Sequence, residues 1–192
     1  MGVPYIIDTT SGDEKTYEIY SKLLMDRIIF IQGAFDDNMA NGVVAQLLYL
    51  QSVDADKDIF MYINSPGGQI SSLYAIYDTM NYVTPDINTI GLGEVASAGS
   101  FILAAGTKGK RMALENTNIM IHELSAGTQG KAGDIFNQVE QYKKLHDKMA
   151  RQYVSFTGQR LAKLKKDMQR DFHMTAEDAL AYGLIDKVIG KN

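Results

Sequence analysis

The sequence predicts a single α/β domain, on three observations. Three apolar runs of strand length, at 27–32, 58–64 and 87–92, are each followed by small or turn-forming residues and then by a stretch with helical spacing. At 192 residues the chain can bury one good core and is too short for two comfortable domains. With 45% hydrophobic and 22% charged residues, its composition is that of an ordinary globular protein.

The elements follow in order. Residues 1–17 are polar, turn-rich at Ser11-Gly12-Asp13, and read as a mobile arm. The first strand, 27–32, closes at Gly33, and Asp36-Asp37-Asn38 offers N-caps for a helix carrying Val43, Val44, Leu47 and Leu48. The second strand, 58–64, breaks at Ser65-Pro66-Gly67-Gly68. The helix from Ile70 places Leu73, Tyr77 and Met80 on one stripe and stops near Thr84-Pro85. The third strand, 87–92, leads through small residues to Ser97 and an apolar helix reaching Ala105. Two short strands, 110–114 and 118–122, precede a Gly- and Ala-rich loop at 125–133. A long helix over 134–156 carries Ile135, Val139, Tyr142, His146, Met149 and Tyr153 at spacings of three and four, and Gly158 ends it. A charged helix at 161–169, a turn at 170–174, a helix at 175–182 opened by Thr175-Ala-Glu-Asp, and a strand at 184–189 complete the chain.

The totals exclude several classes. A net charge of −4 argues against a general nucleic-acid or anionic-membrane binder, and Lys108-Gly-Lys-Arg111 and Lys163-Leu-Lys-Lys166 read as solvated faces. Without cysteine there is no disulfide, thiolate nucleophile or cysteine–zinc site, and three histidines without HExxH spacing point away from a metal centre. The first residues lack a basic region followed by an apolar one, and no apolar run approaches the ~20 residues that span a bilayer. A cytoplasmic protein is expected.

Ser97 follows a strand and small residues and opens a helix, where unpaired N–H groups and the helix dipole favour an activated nucleophile. The same position suits a serine that merely caps the helix. A nucleophile needs a base, and the base an orienting acid. Of the three histidines, His146 falls mid-helix and suits a solvated or interface role, His173 lies in a polar turn, and His122 ends an apolar strand where a Gly-rich loop begins. Gly67-Gly68 can turn free N–H groups into a cavity as an oxyanion hole requires, or form an ordinary strand–helix turn.

These motifs together resemble the ClpP family, the proteolytic subunits of the Clp protease. The resemblance rests on Tyr62-Ile-Asn-Ser-Pro-Gly-Gly68, Ala75-Ile-Tyr-Asp-Thr-Met80, Ala96-Ser97-x-Gly99 and Ala104-Ala-Gly-Thr-Lys-Gly-Lys-Arg111. Ile119-Met-Ile-His122, Gln129-Gly130, Thr157-Gly-Gln159 and Ala181-Tyr-Gly-Leu-Ile-Asp186 extend it over nearly the whole chain, in family order and spacing.

The resemblance implies a serine endopeptidase with Ser97 as nucleophile, His122 as general base and Asp171 as orienting acid, with Asp167 as the fallback acid. Gly68 and Ala98 would donate the oxyanion N–H groups. It implies a crotonase-like spiral of ββα units with a protruding strand–helix handle at 123–156, assembling into two stacked heptameric rings. Unfolded polypeptide would bind as an added strand beside 125–133 and 67–70. A hexameric AAA+ unfoldase would dock at Ile28, Leu48, Phe60, Tyr62, Tyr82, Leu114 and Ile189, and the arm from Val3-Pro-Tyr-Ile would line an axial pore. No cofactor is implied, since ATP is used by the partner. The chain departs from the family at Ala98 (usually methionine), Leu73 (commonly glycine, so a narrowed helix contact), Glu123-Leu124 (usually Gln-Pro) and Glu115 (a proline). These departures imply an alternative, a weakly active or partner-dependent paralogue serving as ring subunit and docking platform, in rings shared with a second paralogue. A crotonase-fold acyl-CoA enzyme is a more distant alternative.

Overall fold

Residues 4–8 and 14–190 are described by the computed structural model. The first segment is an antiparallel pair, β1 (Tyr5–Asp8) against β2 (Lys15–Glu18), where the sequence reads only an arm. Ile6, Ile7, Thr16 and Tyr17 supply the β-branched and aromatic residues of this pair. The turn expected at Ser11-Gly12-Asp13, and Val3, lie outside the described residues. Next comes α1 (Ile19–Met25), unforeseen because Glu18 gives it no side-chain cap; its Tyr20 meets Phe30 edge-on at 5.5 Å.

Three strand–helix units then build the main sheet: β3 (Ile28–Gln32) with α2 (Asp37–Val53), β4 (Ile59–Ser65) with α3 (Ile70–Tyr82), and β5 (Ile87–Ala96) with α4 (Ala98–Ala104). The Asp36 carboxylate caps α2 by accepting the Met39 N–H at 2.8 Å. Ala40, Val43, Leu47 and Leu50 form the buried stripe of α2, whereas Leu48 is 42% exposed, so the apolar stripe lies one position round from the one expected. On α3 the buried stripe is Ser72, Leu73, Ile76 and Met80.

The remaining elements are β6 (Arg111–Leu114), β7 (Asn118–Ile121), α5 (Ala132–Thr157), α6 (Leu161–Asp167), β8 (Phe172–Met174), α7 (Ala176–Tyr182) and β9 (Lys187–Ile189). A full capping box between Thr175 and Asp178 opens α7, and Gly158 ends α5 in the left-handed conformation. The sheet runs β3-β4-β5-β6-β9, all parallel, and β7 pairs parallel with the far end of β5 while β8 pairs antiparallel with β7. The fold is therefore mixed α/β around a mostly parallel sheet, as the alternation predicts.

Two differences from the sequence reading matter for the site. Strand β5 does not stop at Leu92: between the pairs Ile63↔Gly91 and Ser65↔Val95 it advances four residues while β4 advances two. This bulge lets β5 leave β6 and pair with Asn118–Met120, carrying the chain directly to Ser97. The stretch expected as a turn at 170–174 contains β8, because β7 supplies a partner for three residues too few to show a period.

Packing fixes α4 under the end of β5. Phe101 is fully buried and receives Tyr74, Tyr77, Tyr153 and Phe156 edge-on, with ring centroids 5.2–6.0 Å away. The Arg111 guanidinium, 4% exposed, pairs with both Asp186 carboxylate oxygens at 2.7 and 2.8 Å and donates to the carbonyls of Ala104 and Phe156. Burial opposes charge on Asp186, yet the hydrogen bonds from Arg111 and Gly109 outweigh it and hold its carboxyl below the usual range. Only Met149, Ala150 and Tyr153 of α5 are buried, so its first half projects from the body. The loop before it carries no strand among the described residues, where the family resemblance implies one; its contacts are with side chains of α5, such as the Tyr142 hydroxyl on the Gly127 carbonyl. No helix among the described residues is long and apolar enough to cross a membrane.

Candidate active site

Three strand ends converge. The last β5 pair is Ala96↔Met120, and the Ser97 N–H donates to the Met120 carbonyl at 2.9 Å. The backbone then turns at Ser97 with φ 55° and ψ −117°, one of two non-glycine residues with positive φ among those described, and α4 begins. Such a conformation costs on the order of 1–3 kcal/mol and aims a side chain away from the path of the chain. Ser97 occupies the N-cap position of α4, but its side chain makes no capping hydrogen bond. Its Oγ stands 2.9 Å from Nε2 of His122 instead.

His122 follows the end of β7 and Asp171 precedes β8. Because Ile121 pairs antiparallel with Phe172, continuing that register sets His122 opposite Asp171. The His122 Nδ1 is 3.0 Å from Asp171 Oδ1, completing a chain of hydrogen bonds from carboxylate to hydroxyl. A neutral imidazole fits it in one way, with Nδ1–H donating to Asp171 and Nε2 accepting the Ser97 proton. The His122 side chain is 28% exposed and that of Asp171 62%.

The turn at Gly67-Gly68 closes the other side. A Cβ on Gly67 would lie 2.6 Å from the Ser97 Cβ, and one on Gly68 would lie 2.4 Å from the Phe35 carbonyl oxygen. Both positions also have positive φ, so only glycine brings this turn against the nucleophile. Ala98, first residue of α4, has no intrahelical acceptor for its N–H. Gly68 and Ala98 both line a cleft of about 250 Å³ with Ser97, His122, Leu124 and Met149. Leu73, 1% exposed on the buried stripe of α3, lines this cleft too.

The other expected residues fall elsewhere. Asp167 accepts from Lys163 Nζ at 2.7 Å and from the Tyr182 hydroxyl at 2.8 Å, so the fallback acid is engaged away from His122. Burial raises its carboxyl, and those two hydrogen bonds bring it below the usual range. His173 is in β8, exposed, with Asn118 Nδ2 3.4 Å from its Nδ1, not in a free turn. His146 on α5 faces Glu123, with Nε2 3.8 Å from Oε2.

Of the seven positions implied for docking, Ile28 pairs with Phe60, and Leu114 with Ile189. With Tyr62, which stacks on Phe30 at 5.6 Å, they fall on the sheet face opposite the buried Ile29, Ile31, Met61 and Ala113. Leu48 and Tyr82, 42% and 74% exposed, lie on the open sides of α2 and α3. Sequence reasoning missed Ser100 and gave Tyr153 no part in the site. The first signal was its position three residues after Ser97 on a helix, and the second was the end of the α5 stripe.

A model of the Clp protease family matches residues 11–192. That span takes in every element from β2 onward, including Ser97, His122, Asp171 and both glycines of the turn. The chain belongs to the Clp protease family.

Proposed function

We propose that the protein is a serine endopeptidase that cleaves unfolded polypeptide at Ser97. The observation that carries this reading is the unbroken Ser97–His122–Asp171 hydrogen-bond chain beside two glycine- and helix-derived N–H groups. Ser97 Oγ attacks the scissile carbonyl carbon while His122 Nε2 takes its proton, and Asp171 steadies the imidazolium through Nδ1–H. The negative charge forming on the carbonyl oxygen is met by the N–H groups of Gly68 and Ala98. The C–N bond then breaks, with the proton passing from His122 to the leaving amine, and a water activated by the same histidine hydrolyses the acyl-enzyme. No cofactor enters these steps.

The substrate would lie extended between the turn after β4 and the segment at 125–133, adding a strand to backbone that carries none of its own. The reading extends to the assembly: a crotonase-like spiral whose handles interlock two heptameric rings, with a hexameric AAA+ unfoldase docked on the apolar sheet face and the N-terminal arm, with its paired strands β1 and β2, at the axial pore. The projecting half of α5 and the exposed Phe60, Tyr82 and Leu114 support it, since apolar surface of this kind marks interaction sites. The closed triad favours an active subunit over a purely structural ring member and over an acyl-CoA enzyme, which would not need all three residues.

The acid assignment has its own test in hydrolysis of a fluorogenic peptide. Asp171→Asn presents an amide to His122, favouring the tautomer with the proton on Nε2, and kcat falls by roughly 10²–10⁴-fold. Asp167→Asn stays within about threefold of wild type, because Asp167 serves Lys163 and Tyr182. The reverse order would move the acid role to Asp167.

A further inference from the structure

A second chain of hydroxyls lies behind Ser97, and the proton transfers above do not use it. Ser100, fully buried on α4, has its Oγ 2.8 Å from the Ser97 carbonyl oxygen and 3.0 Å from the Tyr153 hydroxyl. Tyr153, 2% exposed, arrives from α5, and its hydroxyl also stands 3.5 Å from the same carbonyl. A carbonyl only accepts, and of the two hydroxyls that reach it Ser100 is the nearer, at 2.8 Å against 3.5 Å; these distances favour Ser100 donating to the Ser97 carbonyl and Tyr153 donating to Ser100 over the reverse order. Burial pushes the Tyr153 phenol well above its usual range, which keeps it a donor.

Packing does not explain these two hydroxyls. A phenylalanine ring would make the same edge contacts with Phe101 and Phe156, and an alanine would suit the buried face of α4. Burying two hydroxyls is costly unless both are paired, and here they pair with each other and with one particular carbonyl. That carbonyl belongs to the Ser97–Ala98 peptide. The peptide is planar and trans, so its C=O and N–H point in opposite directions. Gripping the Ser97 oxygen from the α5 side therefore fixes where the Ala98 N–H points, and polarises it as a donor.

We propose that Tyr153, acting through the Ser100 hydroxyl on the Ser97 carbonyl, is a positioning residue that orients the Ala98 oxyanion donor and holds the strained nucleophile turn. This rests on Ser97 being the nucleophile. It makes the geometry of the oxyanion hole depend on the seating of α5 against α4.

The test compares Tyr153→Phe, Ser100→Ala and the double variant, on the full chain, by peptide kcat and KM. Rates are taken per Ser97 labelled with a fluorophosphonate, so that misfolded protein is not counted. Each single variant is expected to lower kcat about tenfold with KM unchanged, and the double variant to fall no more than about twofold below the worse single, since one chain of bonds is broken once. Variants that melt earlier but keep kcat within about twofold of wild type assign the pair to stability alone and overturn the inference. So do losses that multiply in the double variant. Wild-type protein that takes no label overturns the nucleophile reading itself, a result distinct from normal labelling with unchanged kcat in the variants.

Discussion

Ser97→Ala is expected to abolish peptide hydrolysis while leaving the fold intact. Alanine keeps the Cβ, and the positive φ at this position is no worse for alanine than for serine. It also leaves the backbone bonds that hold the turn, Ser97 N–H to Met120 and Phe101 N–H to the Ser97 carbonyl. What disappears is the oxygen 2.9 Å from His122 Nε2. Loss of a triad nucleophile lowers kcat on the order of 10⁶-fold, leaving only what the oxyanion hole and binding provide. Hydrolysis of a fluorogenic peptide and thermal unfolding, measured together, check both halves. Retained turnover in a folded Ser97→Ala protein would contradict the assignment.

Gly68→Ala has the next largest expected effect, and it acts through the backbone. The new Cβ would lie 2.4 Å from the Phe35 carbonyl oxygen, 2.5 Å from its nitrogen and 2.9 Å from its Cα, at φ +153°. Phe35 cannot move aside. It is 1% exposed, its N–H donates to the Gly67 carbonyl at 2.8 Å, and its carbonyl accepts from Gln69 at 2.8 Å. The loop must move instead, taking the Gly68 N–H out of the cleft and disturbing the Gly67 contact with Ser97. Removing one oxyanion donor costs about 10²–10³-fold in kcat, and the clash adds several kcal/mol of destabilisation, by the usual magnitudes for such strain. Gly42→Ala is the control: its Cβ meets nothing within 4 Å, and alanine favours the helix. Its kcat and melting temperature should match or exceed those of wild type, and a Gly68→Ala protein that behaves in the same way would refute the role of this turn.

The parts of the site that were legible in the sequence are those written in local pattern. Ser97 follows a strand and opens a helix, and His122 ends an apolar run, so each shows its place without a partner in view. Asp171 does not. Nothing in Arg170-Asp-Phe-His-Met174 has a strand period, and its position comes from β8 pairing with β7, a contact 49 residues apart in sequence at the His122–Asp171 bond. The family resemblance reached it where periodicity could not. The extension of β5 from Leu92 to Ala96 was hidden for the same reason, since Gly93-Glu94 continue no apolar run and show their place only once Asn118 pairs with Glu94. Tyr153 was read correctly as part of a helical stripe, but a stripe specifies a face and not a hydroxyl's acceptor. Ser100 looked like one more small residue in a small-residue helix. The fold was written mainly in alternation and turns, whereas the second layer of the site depends on which elements meet.

The most direct test of the central claim is to react the protein with a fluorophosphonate and locate the adduct by peptide mass spectrometry. A single adduct on Ser97, lost in His122→Ala because the base no longer activates the hydroxyl, is the predicted result. An adduct on another residue, or labelling of Ser97 that does not depend on His122, would contradict it.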